Sequence, residues 1–349
     1  MRQRIDRLLS LLRQGQAMLI SGYPNIFYYS GFTSEDAYLI ISKDRLIIIT
    51  DSRYFTQAKQ EAPDFELADI SKGWDKIFEA VSENEICFEE NNITVAALDK
   101  IKEKAKDKRF IKACGKADKP RRRKDKTELE LIASAEEIGD MAFSHILEFI
   151  RPGMRESEIA LELEMYMKKQ GASALSFTTI AASGERSAMP HGAASDKTVK
   201  KGELLTLDFG CVYHGYCSDM TRTVVLGKPD SKQKEIYDTV LRAQTAAIDG
   251  IYEGILCSDA DKIAREIIKS AGYGDCFTHS LGHSVGVEIH ENPLFSPKST
   301  DTLEDGNVLS VEPGIYIEGW GGVRIEDLIA VSDGKIVNLT HSPKELIVI

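Results

Sequence analysis

The stretch ELLTLDFG (203–210), followed soon after by CSDMTRTVVL (217–226), predicts two strands joined by a tight turn. Side chains alternate between the two faces of a strand, so each segment has an apolar face and a polar face that carries an aspartate. The midpoint between Asp208 and Asp219 falls just before Gly215, which favours a turn. We therefore expect the two aspartates to lie nearly opposite each other across a hairpin.

A second hairpin of the same kind is predicted from NVLSVEPG (307–314) and GVRIEDLIAV (322–331). The polar face of the first segment carries Glu312, and that of the second carries Glu326. Their midpoint is Gly319, which lies inside a glycine-rich turn. The same reasoning therefore places the two glutamates across from each other.

Four acids on paired strand faces repel one another, and their burial is costly unless they are protonated or a cation lies between them. One interpretation is that they are solvated hairpin residues, or ion-pair partners of Arg222 and Arg324. The other is that they bind a pair of divalent metal ions, which would compensate all four charges. The occurrence of two hairpins with the same geometry favours the metal interpretation.

A nitrogen ligand is expected from HSLGHSVGVEIHE (279–291), which contains His279, His283 and His290 among glycines. Glycines allow the backbone to approach a bound group closely, and neutral imidazole is a common metal ligand. The spacing does not decide which of the three histidines binds a metal. His191 lies in a separate Pro-His-Gly turn and is a further candidate for a functional residue.

Oxygen and nitrogen donors without thiolates favour manganese, cobalt, iron or zinc over softer metals. Two such ions bridged by carboxylates can share and deprotonate one water molecule, which then attacks an amide or an ester. The residues alone therefore predict a dinuclear hydrolase and leave its substrate open.

The chain of 349 residues is long enough for two domains. Alternating strand and helix patterns predict a smaller α/β domain over 1–118, and paired helices with paired strands predict an α+β domain with an antiparallel sheet over 119–349.

The basic run 121–124 is interpreted as a solvated linker, and the aromatic segment 23–32 as a loop. Helices of the second domain are predicted over 127–150, which Thr127 would cap, and over 155–170, 231–253 and 258–270.

The formal net charge of −11 argues against a nucleic-acid partner. The sequence contains no apolar stretch of the roughly 18 residues that a membrane span needs, so no membrane partner is expected. The six cysteines include no Cys-x-x-Cys pair and are too sparse for a disulfide scaffold, which indicates a reducing compartment. A cytoplasmic protein is therefore expected.

The same segments resemble the pita-bread metallopeptidases, the family of methionine aminopeptidase, aminopeptidase P and prolidase. The resemblance extends over nearly the whole chain. It is carried by motifs in the family's order, namely LDFG (207–210), DMTRT (219–223), HSLGH and IHE within 279–291, EPGIY (312–316) and VRIED (323–327). It implies a C-terminal pita-bread fold, also called the creatinase/aminopeptidase fold, preceded by a creatinase-like N-terminal domain.

The resemblance also implies roles for individual residues. Two divalent metal ions per subunit are implied, with manganese as the expected metal and cobalt, zinc or iron as alternatives. The implied ligands are Asp208, Asp219, His283, Glu312 and Glu326, of which Asp219 and Glu326 bridge the two ions. His191, His279 and His290 are implied to bind the substrate and transfer protons alongside Glu312, while Thr221 and Arg324 support the ligands.

The segments NIFYYSGF (25–32) and TDSRYF (50–55) resemble the N-terminal domain of prolidases, aminopeptidases P and creatinases. Methionine aminopeptidases usually lack such a domain. The resemblance therefore implies a homodimeric peptidase that cleaves before proline, in Xaa-Pro dipeptides or in longer peptides. The alternatives are an enzyme like methionine aminopeptidase, another amide hydrolase of this fold, or a binding protein without activity.

Overall fold

The computed structural model describes residues 2–349, and the chain divides into two units, Met1–Arg121 and Arg122–Ile349. The elements of the first unit, in chain order, are α1 (Arg2–Ser10), β1 (Gln16–Ile20), α2 (Tyr23–Ser30), β2 (Tyr38–Ile41), β3 (Leu46–Thr50), α3 (Phe55–Glu61), β4 (Glu66–Asp69), α4 (Trp74–Glu79), β5 (Glu85–Phe88), α5 (Val95–Lys104) and β6 (Arg109–Lys112). They form a six-stranded sheet in the order β4-β3-β2-β1-β5-β6. The β1–β2 and β2–β3 pairs are antiparallel and the others are parallel, as expected for an α/β unit.

The aromatic segment 23–32 forms the helix α2 and not the predicted loop. Pro24 lies in the first turn, where its missing N–H costs no hydrogen bond, and Gly31 ends the helix with φ 77°. Tyr28 and Tyr29 are fully buried, and the hydroxyl of Tyr29 donates to the carbonyl of Ala117 at 2.7 Å. The aromatic side chains at these two positions therefore belong to the core of the first unit.

The second unit contains four helices and a set of short strands. In chain order these are α6 (Lys126–Phe149), α7 (Glu156–Lys169), β7 (Ala174–Leu175), β8 (Ile180–Ser183), β9 (Leu204–Phe209), β10 (Cys211–Tyr213), β11 (Tyr216–Cys217), β12 (Met220–Val225), α8 (Ser231–Gly250), α9 (Cys257–Ser270), β13 (Gly282–Ser284), β14 (Glu291–Phe295), β15 (Val308–Val311), β16 (Gly314–Ile317), β17 (Gly321–Arg324), β18 (Asp327–Ser332) and β19 (Lys335–Asn338). The strand pairs within this unit are antiparallel, in sheets ordered β12-β9-β8, β14-β13-β15-β18-β19, β16-β17 and β11-β10-β7. The predicted α+β class with antiparallel sheets is confirmed. Among residues 2–349, no helix combines the length and the apolar character that crossing a membrane requires.

Strand alternation decides which side chains of the second unit reach its core. Leu205, Leu207 and Phe209 of β9 pack into an apolar cluster shared with α6 and α7. Leu309 and Val311 of β15 pack into another cluster shared with α8 and α9. Because helices cover these apolar faces, the intervening polar residues of β9 and β15 point to the opposite side.

The basic run 121–124 is not a solvated linker throughout. Arg121 and Lys124 are buried, whereas the side chain of Arg123 is 53% exposed. The backbone N–H of Lys124 donates to the carbonyl of Gly306 at 2.7 Å, which fixes this segment against the loop before β15. The linker interpretation is therefore wrong for Arg121 and Lys124.

A fully buried ion pair joins β12 to β18. The guanidinium of Arg222 lies 2.8 Å from the carboxylate of Asp327, and it also donates to backbone carbonyls of residues 342–343.

Arg222→Met would leave Asp327 with a buried charge that has lost its main partner. We expect urea unfolding, followed by circular dichroism, to show a loss of about 3–5 kcal/mol. Arg155→Met removes an exposed ion pair and is the matched control, with an expected loss below ~1 kcal/mol; equal losses would contradict the prediction.

Candidate metal and active site

The first hairpin brings Asp208 and Asp219 to one cavity, but not in the predicted register. Asp208 lies opposite Thr221 in the β9–β12 ladder, so the two aspartates are diagonal neighbours. The turn is centred one residue later than predicted, because His214 (φ 46°) and Gly215 (φ 84°) both adopt left-handed backbone conformations. The aspartates therefore lie near each other across the hairpin, as expected, and only the predicted centre of the turn is wrong, by one residue.

The second hairpin has the predicted register. β15 pairs with β18 and β16 pairs with β17 in one continuous register, and Val311 lies opposite Asp327. Glu312 and Glu326 fall between these two ladders, at positions that face each other. The proline after Glu312 cannot donate to a ladder, which helps to separate the two ladders at this point.

These acids line a cavity of about 470 Å³ in the second unit. All the residues for which the sequence predicts a role as ligand or in proton transfer reach this cavity. They are Asp208, Asp219, Glu312 and Glu326 among the acids, and His191, His279, His283 and His290 among the histidines. Arg324 also lines it, together with an apolar patch of Phe177, Ile180, Ile289 and Leu294.

The most compact group of donors in the cavity is formed by Asp219, His283 and Glu326. One ligand atom from each lies within 4.8 Å of the others. Nε2 of His283 is 3.4 Å from a carboxylate oxygen of Asp219 and 3.5 Å from Oε1 of Glu312. Three acids and one imidazole thus converge on a single small volume.

The buried acids are held in an environment that disfavours their charged form. Burial raises the pKa of Asp219 well above its usual range, and the charges of Glu326, Asp208 and Glu312 raise it further. Burial and the neighbouring charges of Glu312 and Asp208 do the same to the pKa of Glu326. Oδ1 of Asp208 is buried without a hydrogen-bond partner. Buried acids with unused oxygens, next to imidazole, are the donor set expected for divalent metals, so these residues fit a metal centre.

Burial has the opposite effect on the histidines of the cavity. It lowers the pKa of His279, His283 and His290, which favours the neutral ring. A neutral imidazole can coordinate a metal or accept a proton. The electrostatics of the cavity therefore suit both of the roles predicted for these residues.

Arg324 joins three groups at the base of the cavity. Its guanidinium donates to Oδ2 of Asp208 at 2.5 Å, to Oγ1 of Thr221 at 3.0 Å and to the hydroxyl of Tyr316 at 2.7 Å. The hydroxyl of Thr221 in turn donates to Glu326 at 2.7 Å. Arg324 and Thr221 therefore hold carboxylates from both hairpins in fixed orientations.

Tyr316 is a site residue that sequence reasoning missed. Its hydroxyl is 2.9 Å from Nε2 of His279, and Nδ1 of His279 is 2.8 Å from the carbonyl of Ser280. A carbonyl only accepts, so the proton is on Nδ1 and Nε2 accepts from Tyr316. Burial raises the pKa of Tyr316 to about 12, which keeps the hydroxyl protonated. An aromatic residue in a short strand is usually interpreted as a core residue. The signal in the sequence that could have identified Tyr316 is its position shortly after the Glu-Pro-Gly sequence.

Two further polar residues beneath the acids were also missed. Ser310 accepts from the backbone N–H of His283 and donates to Oε1 of Glu312, both at 3.1 Å. Glu136 of α6 accepts from the backbone N–H of Asp219 at 3.2 Å, and burial raises its pKa to about 8. Each ties a cavity residue to a distant part of the chain, a relation that local sequence patterns do not reveal.

His191 and His290 are the least constrained of the histidines. His191 is exposed, in a segment whose start is organised by the buried carboxylate of Glu156, which accepts from Arg186. The ring of His290 lies against that of His283 with 4.4 Å between centroids, and within residues 2–349 it makes no side-chain hydrogen bond. Both rings are therefore placed mainly by their backbone.

Residues 130–333 match the model of metallopeptidase family M24, and residues 4–122 match the creatinase/prolidase N-terminal domain. The chain belongs to metallopeptidase family M24. This family member is 39% identical to the Xaa-Pro dipeptidase of Pyrococcus furiosus, over 99% of this chain and 100% of that one. The expected pita-bread fold and creatinase-like N-terminal domain are confirmed.

Solved structures of M24 relatives superpose closely on this chain. The Xaa-Pro dipeptidase from Bacillus anthracis has a TM-score of 0.96 at 42% identity and covers 100% of this chain and 99% of its own. The X-Pro aminopeptidase from Thermotoga maritima has a TM-score of 0.92 at 39% identity, over 99% of this chain and 100% of its own. As a member of this metallopeptidase family, the chain is a metal-dependent hydrolase.

Proposed function

We propose that this chain hydrolyses the amide bond between an N-terminal residue and a following proline, in Xaa-Pro dipeptides or longer Xaa-Pro peptides. The observation that carries the proposal is the convergence of four acids and four histidines on one cavity with an apolar patch beside it. The relatives from Pyrococcus furiosus and Bacillus anthracis are Xaa-Pro dipeptidases, which supports the choice of substrate.

Five residues would hold two divalent metal ions per subunit, with manganese as the proposed metal and cobalt, zinc or iron as alternatives. They are Asp208, Asp219, His283, Glu312 and Glu326, of which Asp219 and Glu326 would serve both ions. The raised pKa values of Asp219 and Glu326 and the unpaired oxygen of Asp208 support this set. When bound, such ions supply Lewis-acid activation of a water molecule and of the scissile carbonyl.

The remaining steps are proposed for side chains of the cavity. Burial raises the pKa of Glu312, so this carboxylate would take a proton from the attacking water and later return it to the leaving nitrogen. Nε2 of His279 accepts a hydrogen bond from the hydroxyl of Tyr316. His279 would orient the substrate when a substrate group replaces Tyr316 as its hydrogen-bond partner. His191, His279 and His290 border the same cavity and would bind the substrate backbone and transfer protons.

A panel of short peptides tests the proposal. With manganese, cobalt or zinc added, kcat/KM for Ala-Pro and Ala-Pro-Ala should exceed that for Ala-Ala and Ala-Ala-Ala by roughly 10–100-fold, because an apolar subsite distinguishes the proline ring. The ratio between the dipeptide and the tripeptide separates the two classes of Xaa-Pro substrate. Equal rates with and without proline, or preferential cleavage after methionine in Met-Ala-Ala, would contradict the proposal.

We also propose that the enzyme is a cytoplasmic homodimer. All six cysteines, within the residues that the structure describes, are free thiols, which agrees with a reducing compartment. The proposed dimer rests on the resemblance of the first unit to the creatinase/prolidase N-terminal domain. Analytical ultracentrifugation should give a mass near twice the 38.8 kDa of one chain, and a monomer across micromolar concentrations would contradict it.

A further inference from the structure

Lys124 closes the basic run before α6, and its ammonium group is buried within the second unit. Its side chain is 1% exposed and that of Glu291 is 4% exposed. Nζ of Lys124 donates to Oε2 of Glu291 and to Oγ of Ser284, each at 3.1 Å. A buried ammonium group is costly unless it is paired and hydrogen-bonded, and both conditions are met here.

The two partners of Lys124 mark the ends of one loop. Ser284 ends β13 and Glu291 begins β14, and they are paired in the antiparallel ladder. Oε1 of Glu291 also accepts from the backbone N–H of Glu288, inside the loop, at 3.2 Å. A Cβ atom on Gly286 would lie 2.7 Å from the Glu291 carboxylate, so the loop closes tightly around this group. Lys124 therefore ties together both ends of the loop 284–291.

Each end of this loop adjoins a histidine of the cavity, but the two histidines are held differently. His283 has two anchors of its own. Its backbone N–H donates to Ser310, and His283 pairs with Leu294 in the β13–β14 ladder. His290 makes no side-chain hydrogen bond among the described residues, and it directly precedes Glu291. Release of Glu291 would therefore move the ring of His290 more than that of His283.

We infer that Lys124 is a positioning residue for His290, which it fixes in the cavity through the carboxylate of Glu291. This inference rests on the proposed Xaa-Pro hydrolysis for its kinetic consequence. Lys124 does not touch the cavity, and its effect on turnover comes from the place that it gives to the neighbouring histidine. Loss of such supporting partners typically costs 10–100-fold in activity.

The decisive variant is the double substitution Lys124→Met with Glu291→Gln. It removes both charges together, so no unpaired charge is left buried, and the thermal unfolding midpoint should stay close to that of the wild type. We expect kcat for Ala-Pro to fall by roughly 10–100-fold and KM to rise, because His290 also binds the substrate, while the manganese content, measured by elemental analysis, changes little. A folded double variant with the kcat of the wild type would overturn the inference, because a pair with only a structural role predicts that result.

The matched control is Arg123→Met in the same basic run. Its side chain is 53% exposed and lies 3.9 Å from the carboxylate of Glu304, so it acts at the surface. We expect this variant to keep the kcat, the KM and the unfolding midpoint of the wild type. A loss of kcat equal to that of the double variant would show that the effect is not specific to Lys124, and would overturn the inference.

A spectroscopic measurement decides the question without an assay of activity. The chain has seven histidines, and labelling them with ¹³C at Cε1 gives a small set of signals that single histidine variants assign. In the metal-free double variant we expect the His290 signal to shift or broaden, while that of His145, stacked on Tyr166, stays in place. An unchanged His290 signal would overturn the inference. If the wild type cleaves no Xaa-Pro peptide, the proposed function fails and these spectra still decide the role of Lys124.

Discussion

Asp219→Asn and Glu326→Gln are expected to abolish Xaa-Pro hydrolysis, with a loss larger than the roughly 10–100-fold that removal of a supporting partner costs. Each substitution keeps the shape of the side chain and removes a charge from the most compact group of donors in the cavity. The manganese content should fall in parallel. Because the buried acids repel one another, the metal-free variants should unfold at temperatures equal to or above that of the wild type.

Asp196→Asn serves as the control for this pair, since its carboxylate is 87% exposed on the same unit. It should leave activity, metal content and unfolding temperature unchanged. A rate near that of the wild type in either Asp219→Asn or Glu326→Gln, with manganese or cobalt added, would show that the proposed bridging role is wrong. Elemental analysis and differential scanning calorimetry provide the other two measurements.

His279→Ala and His290→Ala are expected to lower kcat by about 10²–10⁴-fold while the bound metal is retained. The reason is that both rings border the cavity, yet neither belongs to the compact group of donors formed by Asp219, His283 and Glu326. His283→Ala should instead lose metal. His145→Ala, which removes a ring that pairs with Glu162 away from the cavity, should have little effect on either quantity.

The outcome for the histidines is read from metal content as much as from rate. If His279→Ala or His290→Ala loses as much metal as His283→Ala, that histidine is a ligand and its proposed role in proton transfer is wrong. A kcat within a factor of ~3 of the wild type, on the other hand, would remove the residue from the catalytic set.

The alternation of apolar and polar residues was enough to predict the strands of the two hairpins and the faces that carry the acids. The register of the second hairpin followed from its glycine-rich turn. That of the first did not, because His214 adopts a left-handed conformation that a midpoint rule cannot anticipate. The predicted N-terminal cap of α6 was also wrong. Asp125, and not Thr127, caps this helix, and it forms a reciprocal pair of hydrogen bonds with Glu128.

The residues that support the site were the part that sequence patterns could not supply. Glu136 looks like one more polar position on an amphipathic helix, and Lys124 like the end of an exposed basic run. Their roles come from contacts with residues far along the chain, Asp219 in one case and Glu291 in the other. Only the tertiary fold places an acid beneath a cavity residue or an ammonium group beside a loop.

The two-residue turn at His214 and Gly215 has a consequence for which changes in chain length the protein can accept. Surface turns ordinarily tolerate insertions and deletions, since their ends are close and their tips are free. Here the turn sets the register in which Asp208 lies opposite Thr221, and a one-residue change would slip the ladder and exchange the faces of β12. Asp219 would then leave the cavity, although no residue of the cavity had been altered. The length of this short connection thus decides whether Asp208 and Asp219 reach the same cavity.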